Sequence, residues 1–178
     1  MNPQQILDRA QLIHSTEAIV TALDKLSEDI SQALSEQCPV MICVMGGGLI
    51  FAGQLLTRLR FPLELDYLHA SRYQNQTVGN KTLAWHVLPK SSLKDRTVLL
   101  LDDILDEGIT LKEIKDKCYE LGAKQVFSAV LVEKKLDHQK PVKADFVGLE
   151  VPNHYVFGYG MDAYGWWRNL PAIYYLQE

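Results

Sequence analysis

The sequence has few cysteines, no long apolar run and no excess of basic residues. Its 178 residues include three cysteines, without a CxxC pair or zinc-like spacing, so we expect reduced thiols instead of disulfides or a zinc site. Apolar runs such as Val98–Leu101 are far shorter than the roughly 20 residues that cross a bilayer. Lys and Arg number 18 against 22 Asp and Glu, so broad nucleic-acid binding is disfavoured.

The beginning of the sequence lacks a targeting pattern. Residues 1–15 carry Asp8 and several glutamines where a secretory signal has a basic end followed by an apolar stretch. We therefore expect a cytoplasmic protein that binds neither membrane nor nucleic acid. A chain of this length buries roughly 70% of its unfolded surface, and residues 1–178 are expected to form a single domain.

Helical and strand-like segments alternate along the chain. Apolar residues at steps of three and four predict a helix over 16–36, at the end of an N-terminal helical segment over 1–36. The remaining predictions are strands at 40–44, 63–73, 83–88, 98–101 and 125–132, helices at 49–60 and 110–121, and short strands within 145–178. Near-continuous apolar strands separated by helices are typical of a parallel sheet covered on both faces.

An acidic loop follows the strongest strand signal. Val98–Leu101 runs into Asp102-Asp103-Ile104-Leu105-Asp106-Glu107-Gly108-Ile109-Thr110, and ligands of open parallel sheets lie beyond the carboxyl ends of the strands. Gly108 permits close approach of the backbone, and a helix starting at Thr110 offers N–H groups to a phosphate. Carboxylates next to a phosphate suit sugar hydroxyls or a hard cation, so the loop predicts a ribose phosphate with Mg²⁺.

A solvated acidic cluster, an EF-hand and a receiver domain each fit this loop less well. A generic acidic cluster at a solvated strand end does not require four carboxylates and a glycine so close together. An EF-hand fails because Ile104 occupies a ligand position and the glycine comes one place late. A receiver domain would also place carboxylates at strand ends, but it leaves Gly108-Ile109-Thr110 unexplained.

The segment Val98–Thr110 closely resembles the ribose-phosphate-binding signature of type I phosphoribosyltransferases. Motifs in the same order as in the hypoxanthine-guanine members of that family surround it: Val44–Gly48, Leu131–Lys134, Ala144–Gly148 and Val156–Asp162. The resemblance covers roughly residues 38–176. It implies an α/β fold with a central, mainly parallel sheet flanked by helices, a small hood formed by the terminal segments and a flexible lid hairpin over 71–82.

The resemblance also implies a reaction. The 5-phosphoribosyl group would pass from phosphoribosyl pyrophosphate to N9 of hypoxanthine or guanine, giving IMP or GMP and pyrophosphate, with Mg²⁺ as cofactor and a homodimer or homotetramer as the assembly. Alternatives are transfer to xanthine or a pyrimidine, and a non-catalytic regulator that uses this fold to bind a nucleotide or RNA. The presence of Asp106 favours catalysis, and the missing basic stripe disfavours RNA.

By the same resemblance, Asp106 is the catalytic general base facing purine N7. Asp102 and Asp103 would hold the ribose hydroxyls, directly or through Mg²⁺. The loop that contacts pyrophosphate has a non-proline cis peptide in this family. The residues implied to bind phosphoribosyl pyrophosphate are Met45, Gly46, Gly47, Asp102, Asp103, Asp106, Glu107, Gly108, Ile109, Thr110 and Arg168.

The purine side is assigned in the same way. Lys134 would donate to O6, Tyr155 would stack on the base, and the Val156 backbone would read its edge. Asp162 would line the purine site and help to hold a second Mg²⁺. The implied metal ligands are Asp102, Asp103 and Asp162, and the implied lid residues are Arg72 and Tyr73.

Three positions depart from the family pattern. Glu107 stands where many relatives carry a hydroxyl residue, so its carboxylate must point away from the phosphate and leave only its N–H. Gly46 stands where many relatives carry lysine, so one positive charge near pyrophosphate is missing and more depends on Arg168 or Arg72. Arg72-Tyr73 replaces the usual Ser-Tyr of the lid. We expect these departures to affect substrate affinity more than reaction type.

Overall fold

The computed structural model describes residues 2–72 and 83–176. Tyr73 and the rest of the predicted lid beyond Arg72 lie outside this part of the chain. In chain order the elements are α1 (Pro3–Asp8), β1 (Ala10–His14), α2 (Thr16–Leu34), β2 (Val40–Met45), α3 (Gly48–Leu56), β3 (Glu64–Arg72), β4 (Leu83–Val87), β5 (Thr97–Leu105), α4 (Ile109–Glu120), β6 (Gln125–Lys134), β7 (Phe146–Val151), β8 (Val156–Phe157) and β9 (Ile173–Leu176).

Six strands form the main sheet, in the order β4-β3-β2-β5-β6-β7. All neighbours are parallel except β3 and β4, which pair antiparallel. The central strands are apolar throughout because helices cover both faces: Met41 and Leu99 pack with α2 and α3, whereas Ile42 and Leu100 pack with α4. The predicted parallel sheet between helical layers is confirmed.

A second sheet of three strands, in the order β1-β9-β8, forms the hood. Strand β1 pairs antiparallel with β9, with Ala10 opposite Leu176, and the Trp167 indole donates to the Pro3 carbonyl at 2.8 Å. The prediction of a wholly helical segment over 1–36 is therefore wrong at Ala10–His14. This strand shows no regular alternation of buried and exposed residues, and its partner lies at the other end of the sequence.

All three cysteines are free; Cys43 and Cys118 are buried, while Cys38 is exposed. Burial raises the pKa of Cys43 to about 11 and that of Cys118 to about 12, which keeps both in the unreactive thiol form. Within the two described ranges, no helix has the length and apolar character to span a membrane.

The chain order of the sheet creates a crevice between β2 and β5. From β2 the chain continues through α3 to β3 on one side, and from β5 it continues through α4 to β6 on the other. The two helices lie on opposite faces, so the loops that follow β2 and β5 diverge and leave a gap. Ligands of open α/β sheets bind at such a point.

Candidate active site

A cavity of about 390 Å³ occupies this crevice. Its walls come from the loop after β2, the end of β3, the loop after β5 and the hood. Many of the residues predicted from the sequence line it together: Met45, Gly46, Gly47, Arg72, Asp102, Asp103, Asp106, Glu107, Gly108, Thr110 and Arg168.

The start of α4 forms one end of the cavity. Gly108 precedes the helix with a φ of 81°, a left-handed conformation that favours glycine, and no side chain among the described residues caps the helix. The first N–H groups of α4 therefore remain available to an anion. Arg72 Nε donates to Thr110 Oγ at 3.0 Å, which places a permanent positive charge next to these groups.

Two adjacent carboxylates near the end of β5, those of Asp102 and Asp103, line the cavity. Burial raises the pKa of Asp102 well above its usual range, and the adjacent Asp103 charge raises it further. Burial likewise raises the pKa of Asp103, against the hydrogen bonds with Asp102 and the Ile104 N–H and the charge of Arg168, which lower it. The protein therefore places too little positive charge near Asp102 and Asp103 to offset the burial of two carboxylates.

The arrangement fits Mg²⁺. This ion usually takes one or two protein carboxylates and completes its shell with water and substrate oxygens, and Asp102 and Asp103 supply such a pair. In residues 2–72 and 83–176 no three His, Cys, Asp or Glu side chains are placed to hold a metal by themselves. The Asp162 carboxylate accepts from Arg168 and from the Gly165 N–H at 2.7 Å.

The loop after β2 packs tightly against the acidic pair and the hood. The Met45–Gly46 peptide bond is cis, at the place where the resemblance puts such a bond. A Cβ atom on Gly47 would collide with the Asp103 carboxylate, and one on Gly160 would collide with the Gly47 carbonyl. A Cβ on Gly46 would meet no atom within 4 Å, so a side chain there would project into open space.

Asp106 and Lys134 form an ion pair at the ends of β5 and β6. Lys134 Nζ lies 3.0 Å from Asp106 Oδ2, and the lysine side chain is only 12% exposed whereas that of the aspartate is 47% exposed. A second cavity, of about 170 Å³, adjoins the pair and is also lined by Tyr155 and Val156. Asp106, assigned by resemblance as the general base, therefore lies beside the same cavity as the residues assigned to the purine.

The segment between β8 and β9 and its neighbours contribute to both cavities, with Tyr155 and Asp162 lining the smaller one and Arg168 the larger one. One face of the Tyr155 ring stacks on Tyr164, with ring centroids 5.7 Å apart. Arg168, besides binding Asp162, donates to the Gly160 carbonyl at 2.6 Å. These bonds fix Arg168 beside the loop assigned to pyrophosphate.

The loop between β6 and β7 also reaches the site, which the sequence did not indicate. His138 Nε2 lies 3.0 Å from the Glu107 carboxylate. The Glu107 side chain therefore has a partner away from the N–H groups at the start of α4. The Lys140 ammonium donates to the Leu105 and Lys134 carbonyls, at the ends of β5 and β6. A sequence signal for these contacts is weak, because the loop contains Lys135 and Lys143 as well and nothing local distinguishes them.

Comparison with known proteins agrees with this geometry. Residues 10–164 match the phosphoribosyl transferase domain. The hypoxanthine-guanine phosphoribosyltransferase of Bacillus subtilis (strain 168) is 31% identical over 166 residues, which are 93% of this chain and 92% of that protein. The hypoxanthine-guanine-xanthine phosphoribosyltransferase of Tritrichomonas foetus is 30% identical over 173 residues, or 96% of this chain and 93% of that protein.

Solved structures of similarly named proteins share the fold. A hypoxanthine-guanine-xanthine phosphoribosyltransferase superposes with a TM-score of 0.86 at 29% identity and covers 96% of this chain and 99% of its own. A Staphylococcus aureus hypoxanthine phosphoribosyltransferase gives 0.89 at 25% identity, with 99% and 96% covered. The fold class implied by the resemblance is thus confirmed, and the chain belongs to the phosphoribosyltransferase family.

Proposed function

We propose that this protein is a hypoxanthine-guanine phosphoribosyltransferase. It transfers the 5-phosphoribosyl group from phosphoribosyl pyrophosphate to N9 of a 6-oxopurine and releases pyrophosphate. The observation that carries the proposal is the Asp106–Lys134 pair, 3.0 Å apart. O6 and N7 are neighbouring polar atoms on one edge of guanine, and a donor next to a proton acceptor matches the N7–H form of that edge.

The larger cavity is assigned to phosphoribosyl pyrophosphate. The N–H groups at the start of α4, with Thr110 and Arg72, would bind the 5′-phosphate. Asp102 and Asp103 would accept hydrogen bonds from the ribose hydroxyls. Pyrophosphate would lie between the loop after β2 and Arg168, next to the acidic pair that binds the ribose.

Mg²⁺ bound at the acidic pair would neutralise charge on the pyrophosphate as it leaves. Asp162, whose carboxylate also binds Arg168 and the Gly165 N–H, would help to hold a second ion. The protein contributes fixed donors and carboxylates around an electron-poor ribose. This preorganised environment stabilises the separating charges without reorganisation during the reaction.

Asp106 acts on the purine. In the N7–H form of the base, N9 carries the lone pair that attacks C1′ of the ribose. As the N9–C1′ bond forms and the bond from C1′ to the pyrophosphate oxygen breaks, the Asp106 carboxylate accepts the N7 proton. Lys134 donates to O6, and Tyr155 packs on the ring face.

One assay tests the proposal and its alternatives. The protein is incubated with phosphoribosyl pyrophosphate, Mg²⁺ and one base at a time: hypoxanthine, guanine, xanthine, adenine or a pyrimidine. Formation of IMP and GMP is expected. If only xanthine or a pyrimidine gave a nucleotide, the substrate would have to be reassigned. If no base gave a nucleotide, the proposed enzymatic function would be refuted.

Asp106→Asn tests the assigned base within the same assay. The amide keeps the size of the side chain and loses the proton acceptor, so kcat is expected to fall about 100-fold. The KM for phosphoribosyl pyrophosphate should change little, because the N–H groups of the loop remain. An unchanged kcat would remove Asp106 from the role of base.

A further inference from the structure

We infer that Lys140 is a positioning residue that holds Asp106 and Lys134 in place, an inference that rests on the proposed function. Lys140 lies in the loop between β6 and β7, and its side chain is 8% exposed. The ammonium donates to the Leu105 carbonyl at 3.0 Å, to the Lys134 carbonyl, and to Glu133 Oε1 at 3.2 Å. Its three acceptors therefore come from the ends of β5 and β6.

The bonding capacity of the ammonium is fully used. A lysine ammonium has three N–H donors and accepts none, and here three acceptors surround it. Burying a charge without partners is costly. Here the Glu133 carboxylate offsets that cost, and the two carbonyls accept hydrogen bonds from the remaining N–H groups. A neutral side chain at Lys140 would leave two carbonyls and a carboxylate without this donor.

The two carbonyls belong to the backbone that carries the site. The parallel ladder between β5 and β6 has its last described pair at Leu105 and Glu133. Asp106 and Lys134 are the next residues in that register, one step beyond the paired backbone. Lys140 bridges the two strands where their own pairing stops, so it fixes the separation of the ion pair that faces the purine.

The segment around Lys140 also supports the phosphate loop. An added Cβ atom on Gly108 would lie 3.3 Å from Val142 Cγ1, 3.4 Å from Lys140 Cβ and 3.4 Å from Pro141 Cδ. Lys140 is absent from the described residues that line the two cavities of the site. It therefore acts through its neighbours and not on the substrates.

The test compares Lys140→Met with Lys143→Met, an exposed lysine on the same loop. Methionine keeps an apolar stem and removes the ammonium. Since a displacement of about 1 Å in a site can cost about 100-fold, kcat/KM for hypoxanthine should fall about 10- to 100-fold in Lys140→Met, with a rise in the KM for hypoxanthine. A role in stability alone lowers the active fraction, and thus kcat, without changing that KM.

Two further measurements separate the inference from the proposed function. Hydrogen exchange should accelerate selectively in residues 105–110 and 133–136 of Lys140→Met, whether or not the parent is active. In a Lys134→Met background, Lys140→Met should raise the KM for hypoxanthine less than in the parent, because both changes act on one contact.

The outcomes are distinct. If the parent forms no nucleotide but the selective exchange is seen, the proposed function fails and the positioning geometry stands. If the parent is active and Lys140→Met matches Lys143→Met in KM and exchange, the inference is overturned. Should Lys140→Met fail to fold, Lys140→Gln, which is also neutral, is measured with the same criteria.

Discussion

Replacing Lys134 by methionine should weaken the preference for 6-oxopurines. The lysine side chain is 12% exposed and its ammonium lies 3.0 Å from Asp106. Methionine retains the apolar stem but has no N–H to offer to O6. Hypoxanthine and guanine should therefore lose a charged hydrogen bond, whereas adenine, which carries an amine donor in place of O6, has no such bond to lose.

The expected size follows from this contact. A hydrogen bond to a charged group contributes about 1.5–3 kcal/mol, which corresponds to about 10- to 150-fold in kcat/KM. The ion pair with Asp106 adds little, because the aspartate side chain is 47% exposed and water replaces the missing partner. We expect the ratio of kcat/KM for hypoxanthine to that for adenine to fall by at least about 10-fold.

The assay measures initial rates of IMP, GMP and AMP formation at saturating phosphoribosyl pyrophosphate and Mg²⁺. Lys135→Met is the matched control, since this neighbouring lysine forms an exposed ion pair with Glu150 at 2.6 Å. It should leave the ratio unchanged. The assignment is refuted if Lys134→Met leaves the ratio intact, or if the control lowers it equally.

Two further predictions concern the acidic pair and the glycine contact. The folded-state pKa of Asp102 is raised above its unfolded value, so the stability that this group contributes is fully present below about pH 4 and is lost as pH rises through the raised pKa. Without metal, Asp102→Asn should thus unfold at a higher temperature than the parent at pH 7, by about 2–4 °C for each kcal/mol gained. The two unfolding temperatures should converge at about pH 4, and equal calorimetric midpoints at pH 7 would contradict this. Gly160→Ala should lose more stability than Gly165→Ala and should raise the KM for phosphoribosyl pyrophosphate. Both glycines have positive φ, but only an alanine at position 160 would bring a Cβ atom against the Gly47 carbonyl. Similar thermal midpoints and KM values in the two variants would argue against that contact.

The central strands and the acidic loop could be predicted because their signals are local. A strand covered on both faces must be apolar at consecutive positions, and both Val40–Val44 and Val98–Leu101 satisfy this. The end of β5 is less evident. The strand continues through the acidic pair to Leu105, since its ladder with β6 continues that far, and a local sequence pattern contains no information about a partner strand.

The contacts that join distant segments were beyond the reach of sequence patterns. The pairing of β1 with β9 depends on residues at opposite ends of the chain. The loop after β6 contains several lysines, and a sequence pattern does not show which of them is buried. The Lys140 side chain is buried against backbone carbonyls of β5 and β6, whereas Lys143 is exposed. This difference exists only once the sheet has formed.

The hood has a consequence for the order in which the protein assembles. The main sheet pairs segments that are moderately close in the chain, whereas the hood requires Ala10 to meet Leu176. Closing so long a loop is entropically expensive and slows the contacts that depend on it. During synthesis, both β1 and β8 must wait for β9, their common partner. The wall formed by Tyr155 and Val156 is therefore completed after the crevice between β2 and β5. A nascent chain would acquire its phosphate cradle before it can enclose a purine.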